Sequence, residues 1–158
     1  MNKFQTDIKR GKIGEEKVHQ YLLSRRNVSK VVDVSGVKQF QQMDIDFFIE
    51  KTDGTIYSIE VKTDSYLTDN FIYEKYSNKH IQSKGCFEKT QADYIFYYFI
   101  NKKLMYIFET KKLRKFVRDR EKTGQFTLIP MGDNALGYKI PRSSLTPFKD
   151  YVGCITLH

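Results

Sequence analysis

Three residues near the middle of the chain, Asp46, Glu60 and Lys62, have the types and spacing to hold a divalent cation and polarise a phosphate. They lie in Met43-Asp44-Ile45-Asp46-Phe47-Phe48-Ile49 and in Ile56-Tyr57-Ser58-Ile59-Glu60-Val61-Lys62, two apolar runs separated by Thr52-Asp53-Gly54. Asp-Gly between such runs signals a tight turn, so the pattern predicts an antiparallel hairpin. The head of the first strand then lies beside the tail of the second, which makes Asp46 a neighbour of Glu60 and Lys62. Strand side chains alternate faces, so Glu60 and Lys62 point one way and Val61 the other. Two carboxylates and an ammonium meeting at one end of an otherwise apolar hairpin suit a hard cation and a phosphate oxygen. Asp44 shares parity with Asp46 and could substitute for it or assist it. Asp46 is favoured because the apolar strand begins directly after it.

A further acid comes from the first predicted element. Phe4, Ile8, Gly11, Glu15, Val18 and Leu22 recur every three or four residues, which is one face of an α-helix. Glu15 falls on that stripe, and an ionised carboxylate facing a core needs a metal or a cation beside it. Gly11 and Gly14 each weaken the helix by about 1 kcal/mol relative to Ala, yet they admit close approach of another backbone. A helix rotated slightly would instead leave Glu15 at the boundary beside Glu16.

Asp46, Glu60-Val61-Lys62, Glu15 upstream and the order of predicted elements through about residue 100 together resemble the PD-(D/E)xK nuclease superfamily, which includes restriction enzymes, Holliday junction resolvases and nucleases of phages and mobile elements. The family's first acid usually follows Pro, whereas here Asp44-Ile45 precede it. The resemblance implies a restriction-endonuclease-like α/β core (α-β-β-β-α-β). It also implies Mg²⁺ or Mn²⁺ held by Asp46, Glu60, the Val61 carbonyl and Glu15, with Lys62 completing a catalytic set of Glu15, Asp46, Glu60 and Lys62. Short matches to a group of phage and mobile-element proteins in the same superfamily are Glu60-Val61-Lys62-Thr63-Asp64, Asn70-Phe71-Ile72-Tyr73-Glu74, Gly85 and Gln91-Ala92-Asp93-Tyr94. They add Gln91 as an accessory polar residue near the site, alongside Asp44.

The elements that must position these residues are legible to different degrees. Lys30 to Val34 can form an opening strand. Residues 64 to 92 are polar and aromatic and read as a loop with a short helix bordering the site. Tyr94 to Ile100 is apolar on both faces, as a central covered strand requires, and Asn101-Lys102-Lys103 turns the chain into Leu104 to Phe108. The last third reads as an α+β addition: Phe126 to Pro130 and Gly137 to Pro141 suggest an edge hairpin ended by prolines, and Ser143 to Tyr151 a short helix interrupted by Pro147. This addition could shape specificity or an oligomer contact such as a homodimer.

Composition bounds the partners. The chain has 158 residues, a formal net charge of +8 and no repeat or linker, which fits one domain with an anionic partner. Lys102 to Lys122 holds nine basic residues against Glu109, Asp119 and Glu121, a net +6. Within it Lys111, Lys115, Arg118 and Lys122 share one helical face, while Leu113, Phe116 and Val117 face the core. Such a face can track a phosphate backbone, although a solvated basic face is equally ordinary. Cys86 and Cys154 lack metal or disulfide spacing and read as thiols of a reducing cytoplasm; His19, His80 and His158 are too scattered for zinc. Asn2 to Lys12 is too polar for a signal peptide and Tyr94 to Ile100 too short to span a bilayer, so no membrane role is expected. The sequence therefore reads as a metal-dependent endonuclease acting on duplex or branched DNA. The alternative is a catalytically silent nucleic-acid-binding or regulatory protein on the same fold.

Overall fold

A computed structural model describes the backbone of residues 3–148 and 152–156. Its elements are helix α1 (Lys3–Leu23), strand β1 (Val28–Asp33), the short helix α2 (Lys38–Gln42), β2 (Phe47–Lys51), β3 (Ile56–Asp64), β4 (Asn70–Asn78), β5 (Ser83–Lys84), the one-turn helix α3 (Cys86–Lys89), β6 (Tyr94–Phe99), β7 (Leu104–Glu109), helix α4 (Thr110–Lys122), β8 (Ile129–Met131), β9 (Ala135–Pro141) and β10 (Val152–Thr156). Six strands form one sheet in the order β1-β2-β3-β6-β7-β10, and four form a second in the order β5-β4-β9-β8. The fold is mixed α/β, and helix, three strands, helix, strand occur in the expected order.

The predicted hairpin is the hinge of the larger sheet. β2 and β3 pair antiparallel with Phe47 opposite Ile59. The turn closes through Lys51 N–H to Thr55 O at 2.8 Å and Gly54 N–H to Lys51 O at 2.9 Å, and the Asp53 carboxylate accepts from Thr55 N–H at 2.9 Å. Gly54 has φ +84°, a conformation that costs a residue with a Cβ and costs Gly little. Beyond β2, β3 continues as the parallel partner of β6, from Ile59 opposite Tyr94 to Asp64 opposite Phe99. β6 is central and covered on both faces, as its unalternating apolar run implies.

Each face of the larger sheet has its own core. Helix α1 lies on one, where Val18 and Leu22 meet Phe47, Ile59, Val61 and Phe96. The other face packs against the second sheet and helices α3 and α4 through an aromatic cluster that includes Phe71, Tyr73, Phe87, Tyr97, Phe108 and Tyr138. Edge-to-face contacts such as Phe71 with Tyr97, centroids 4.7 Å apart, order these rings.

Several expectations are corrected here. Ile8 does not join the buried stripe of α1 but is 45% exposed; the helix meets the sheet only from Gly14 onward. The segment after β3 is not chiefly loop: it contains the nine-residue strand β4, with Phe71 and Tyr73 turned inward and fully buried. Its partner is β9, with Tyr73 opposite Tyr138, a pairing between segments some sixty residues apart that local patterning cannot reveal. The Gly137–Pro141 segment is accordingly an inner strand of that sheet, and only β8 is its edge. Residues Arg142–Phe148 form a 3-10 segment; the rest of the expected helix, the Cys154 side chain and His158 lie outside the described residues. Among the described residues no helix is long and apolar enough to cross a membrane.

Candidate functional site

The site assembles where β2 begins and β3 runs on. Asp46 immediately precedes β2, and its main chain already continues the hairpin ladder, donating N–H to Ile59 O at 2.9 Å while its C=O accepts from Val34 N–H at 2.8 Å. Its carboxylate accepts from Val61 N–H at 2.8 Å. Because N–H and C=O of one strand residue point the same way, the Val61 carbonyl faces this side too, past the end of β2. The Asp46 and Glu60 carboxyls lie within hydrogen-bond reach of each other, and the Lys62 ammonium forms an ion pair with Glu60. The faces divide as the hairpin requires: Val61 packs with α1 in the core, and Glu60 and Lys62 point to the opposite side.

Burial sets the electrostatics. Glu60 is 4% exposed, and desolvation pushes its carboxyl up to about 7, with Lys62 opposing and Asp46 and Asp44 adding to the rise. Asp46 is also raised by burial and by Glu15, against the stabilising Val61 N–H. Burial disfavours the charge of Lys62, but the Glu60 carboxylate beside it prevails and holds it protonated. The site is thus a pair of desolvated acids sharing one cation.

Glu15 takes a boundary position. It is half-buried while Glu16 is exposed, and its carboxyl is raised by burial, then by Asp33 and Glu60. α1 reaches this close because Gly14 lies against Thr63 of β3, where a Cβ would stand 3.0 Å from Thr63 Cβ and closer still to its hydroxyl. Gly11 meets nothing comparable. Asp46, Glu60 and Glu15 therefore act on one another electrostatically, but among the described residues no three acidic, His or Cys side chains form a closed ligand group.

The two accessory residues stand differently. Asp44 lies in the turn before β2 with φ +49°, outside the strand whose parity it was expected to share, and pairs with Lys89 at 3.2 Å. Gln91 donates its main-chain N–H to Met43 O at 2.8 Å, and its side chain lines a neighbouring cavity whose walls include none of Asp46, Glu60 and Lys62. Sequence reasoning missed Asp33, which borders Glu15, and Lys89, which binds Asp44; both depend on tertiary contacts. It also missed Cys86 and Glu74, whose charges reach the Lys62 region; burial pushes the Cys86 thiol up to about 11, so it is neutral.

Helix α4 buries Leu113, Phe116 and Val117 and exposes Lys111, Lys115, Arg118 and Lys122, the division expected from its pattern. Lys115 pairs with Asp119 at 2.5 Å, which neutralises part of that face.

The donors at the Asp46 end of the hairpin are all oxygens: two carboxyls and a main-chain carbonyl. Such an open set suits Mg²⁺, which retains waters and takes one or two carboxylates plus substrate oxygens in place of a full protein cage. No family model and no curated protein matches the sequence. Among solved structures, the bacterial homing endonuclease I-Ssp6803I shares part of the backbone course at a TM-score of 0.47 and 16% identity, over 65% of this chain and 68% of that one.

Proposed function

We propose that this chain is a metal-dependent DNA endonuclease of PD-(D/E)xK type. The observation that carries this reading is the contact of two desolvated carboxyls, Asp46 and Glu60, beside the Val61 carbonyl and the Lys62 ammonium. Asp46, Glu60 and the Val61 carbonyl would hold Mg²⁺ or Mn²⁺, with Glu15 near enough to orient a water or support a second ion. The bound ion would lower the pKa of an attacking water and offset charge developing on the phosphoryl oxygens. Lys62, kept protonated by Glu60, donates toward the water or the scissile phosphate. The Val61 N–H fixes the Asp46 carboxylate, so that its other oxygen keeps a constant orientation. The exposed cations of α4 would bind the phosphate backbone.

The Glu60–Lys62 ion pair also favours a second reading, a silent nucleic-acid-binding protein in which that pair only neutralises buried charge. Cleavage separates the two. With Mg²⁺ or Mn²⁺, the protein is expected to cut at least one member of a panel of plasmid, linear, branched and single-stranded DNA and to leave all intact in EDTA. Binding without cleavage of any member, RNA included, would select the silent protein.

A further inference from the structure

Beside the candidate site, and separate from it, a cavity of about 560 Å³ opens between the α3–β6 loop and the start of α4. Lys84, Lys89, Lys111 and Arg114 contribute cations to its lining, and Glu88, Asp93 and Glu109 contribute acids. All three acids are engaged within the protein. Asp93 accepts from Ser58 N–H at 2.8 Å and from its hydroxyl at 2.9 Å, Glu88 accepts from the Tyr73 hydroxyl at 2.6 Å, and Glu109 pairs with Lys112 at 2.6 Å. Arg114 is also engaged, donating to Phe87 O and Thr90 O at 2.7 Å each. Lys84 and Lys111 are exposed and have no ion-pair partner among the described residues.

The thirteen-residue helix α4 begins in this cavity without a side-chain cap. An uncapped helix start presents N–H groups and a positive dipole end, an arrangement suited to anions. A second observation is independent of the helix end. Thr110, 2% exposed, lines the same cavity, and its hydroxyl has no hydrogen-bond partner among the described residues. Buried hydroxyls are nearly always bonded, so an unbonded one beside unpaired ammonium groups points to a missing acceptor. Contacts with the acidic turn couple this cavity to the candidate site: the Thr90 hydroxyl donates to Asp44 O at 2.7 Å, Gln91 N–H to Met43 O at 2.8 Å, and Lys89 reaches Asp44.

We propose that this cavity seats a backbone phosphate of the nucleic-acid substrate, a neighbour along the strand of the phosphate at Glu60 and Lys62. The inference rests on the nuclease reading for the identity of the ligand. Lys84 and Lys111 bind the phosphate, the first turn of α4 and the Thr110 hydroxyl orient it, and Gln91 serves this seat as a lining residue. Lys111 is then where the basic face of α4 joins the path of the strand.

Two measurements test it. Titration of inorganic phosphate, followed by amide NMR, is expected to shift Thr110 and Lys111, and Thr110→Val is expected to weaken that binding by about tenfold without lowering the melting temperature. The exposed double substitution Lys84→Ala/Lys111→Ala is expected to flatten the slope of log K against log salt for duplex DNA by roughly two units, at about 0.9 per phosphate contact. An unchanged salt slope, or phosphate shifts that bypass Thr110 and Lys111, overturns the seat even if the protein cuts DNA. Expected shifts and slope in a protein that cuts nothing would keep the seat and overturn the nuclease reading.

Discussion

Glu60 meets two opposing demands: burial drives its carboxyl toward neutrality, and Lys62 holds it ionised. Its folded pKa, about 7, lies above its ordinary 4.5, so the native state binds the extra proton across that window. The acid form therefore contributes stability that is fully present below about pH 4.5 and is lost as pH rises through 7. By this sign, unfolding free energy should fall across the window by an amount on the order of 3 kcal/mol. Glu60→Gln cannot make that transition, and its denaturation midpoint should vary less over the same range. Protons and divalent ions would compete for the Asp46–Glu60 pair, so the rise in melting temperature caused by Mg²⁺ or Mn²⁺ should grow between pH 6 and pH 8. At one hundred times its Kd an ion adds about 2.7 kcal/mol. Asp46→Ala should abolish this rise. Lys62→Ala should lower stability without the ion, retain or enlarge the rise with it, and still prevent cleavage, because it removes the cation and spares the ligands.

At the scale of elements, the site depends on how closely α1 approaches β3. Gly14→Ala would place a methyl group against the Thr63 hydroxyl and 3.0 Å from its Cβ. Backbone on both sides restricts relief, so a destabilisation of about 1–3 kcal/mol is expected in a denaturant titration, with partial recovery when Thr63→Ala is added. If Glu15 contributes to the site, the cleavage rate should fall more than stability alone explains. On α4, Lys115 is partly neutralised by Asp119, so replacing Lys111, Arg118 and Lys122 with Ser should account for most of the face, about three units of salt slope. The hairpin and α4 were legible in the sequence because each carries its own periodicity and turn chemistry. Glu15 was legible as a residue on the helix, but its depth was not, since the rotation of α1 is set by Gly14 against Thr63. β4 was missed although Phe71 and Tyr73 alternate correctly, because its polar residues read as loop until β9 is there to pair with them.

For the whole molecule, the second sheet joins β4 and β5 to β8 and β9, and β10 continues the larger sheet at β7. Tyr138 and Ile140 of β9 are buried in the same cluster as Phe71 and Tyr97. Removing residues 125–158 would leave β4 unpaired and that cluster open, so the shortened chain should show no cooperative thermal transition. Pairings of such long sequence separation also tend to slow folding. The concentration of basic residues in Lys102–Lys122 was plain in the sequence; the cavity at the start of α4 was not, since α3, β6 and α4 build it together. The most direct test of the nuclease reading is Mg²⁺-dependent nicking of supercoiled plasmid by the intact chain, Asp46→Asn and Glu60→Gln, with affinity for the same DNA measured in EDTA. The intact chain should nick, and both variants should lose nicking while keeping their affinity, because each substitution removes a ligand charge and lessens repulsion of phosphate. Nicking at the unsubstituted rate by both variants would contradict the assignment of the site.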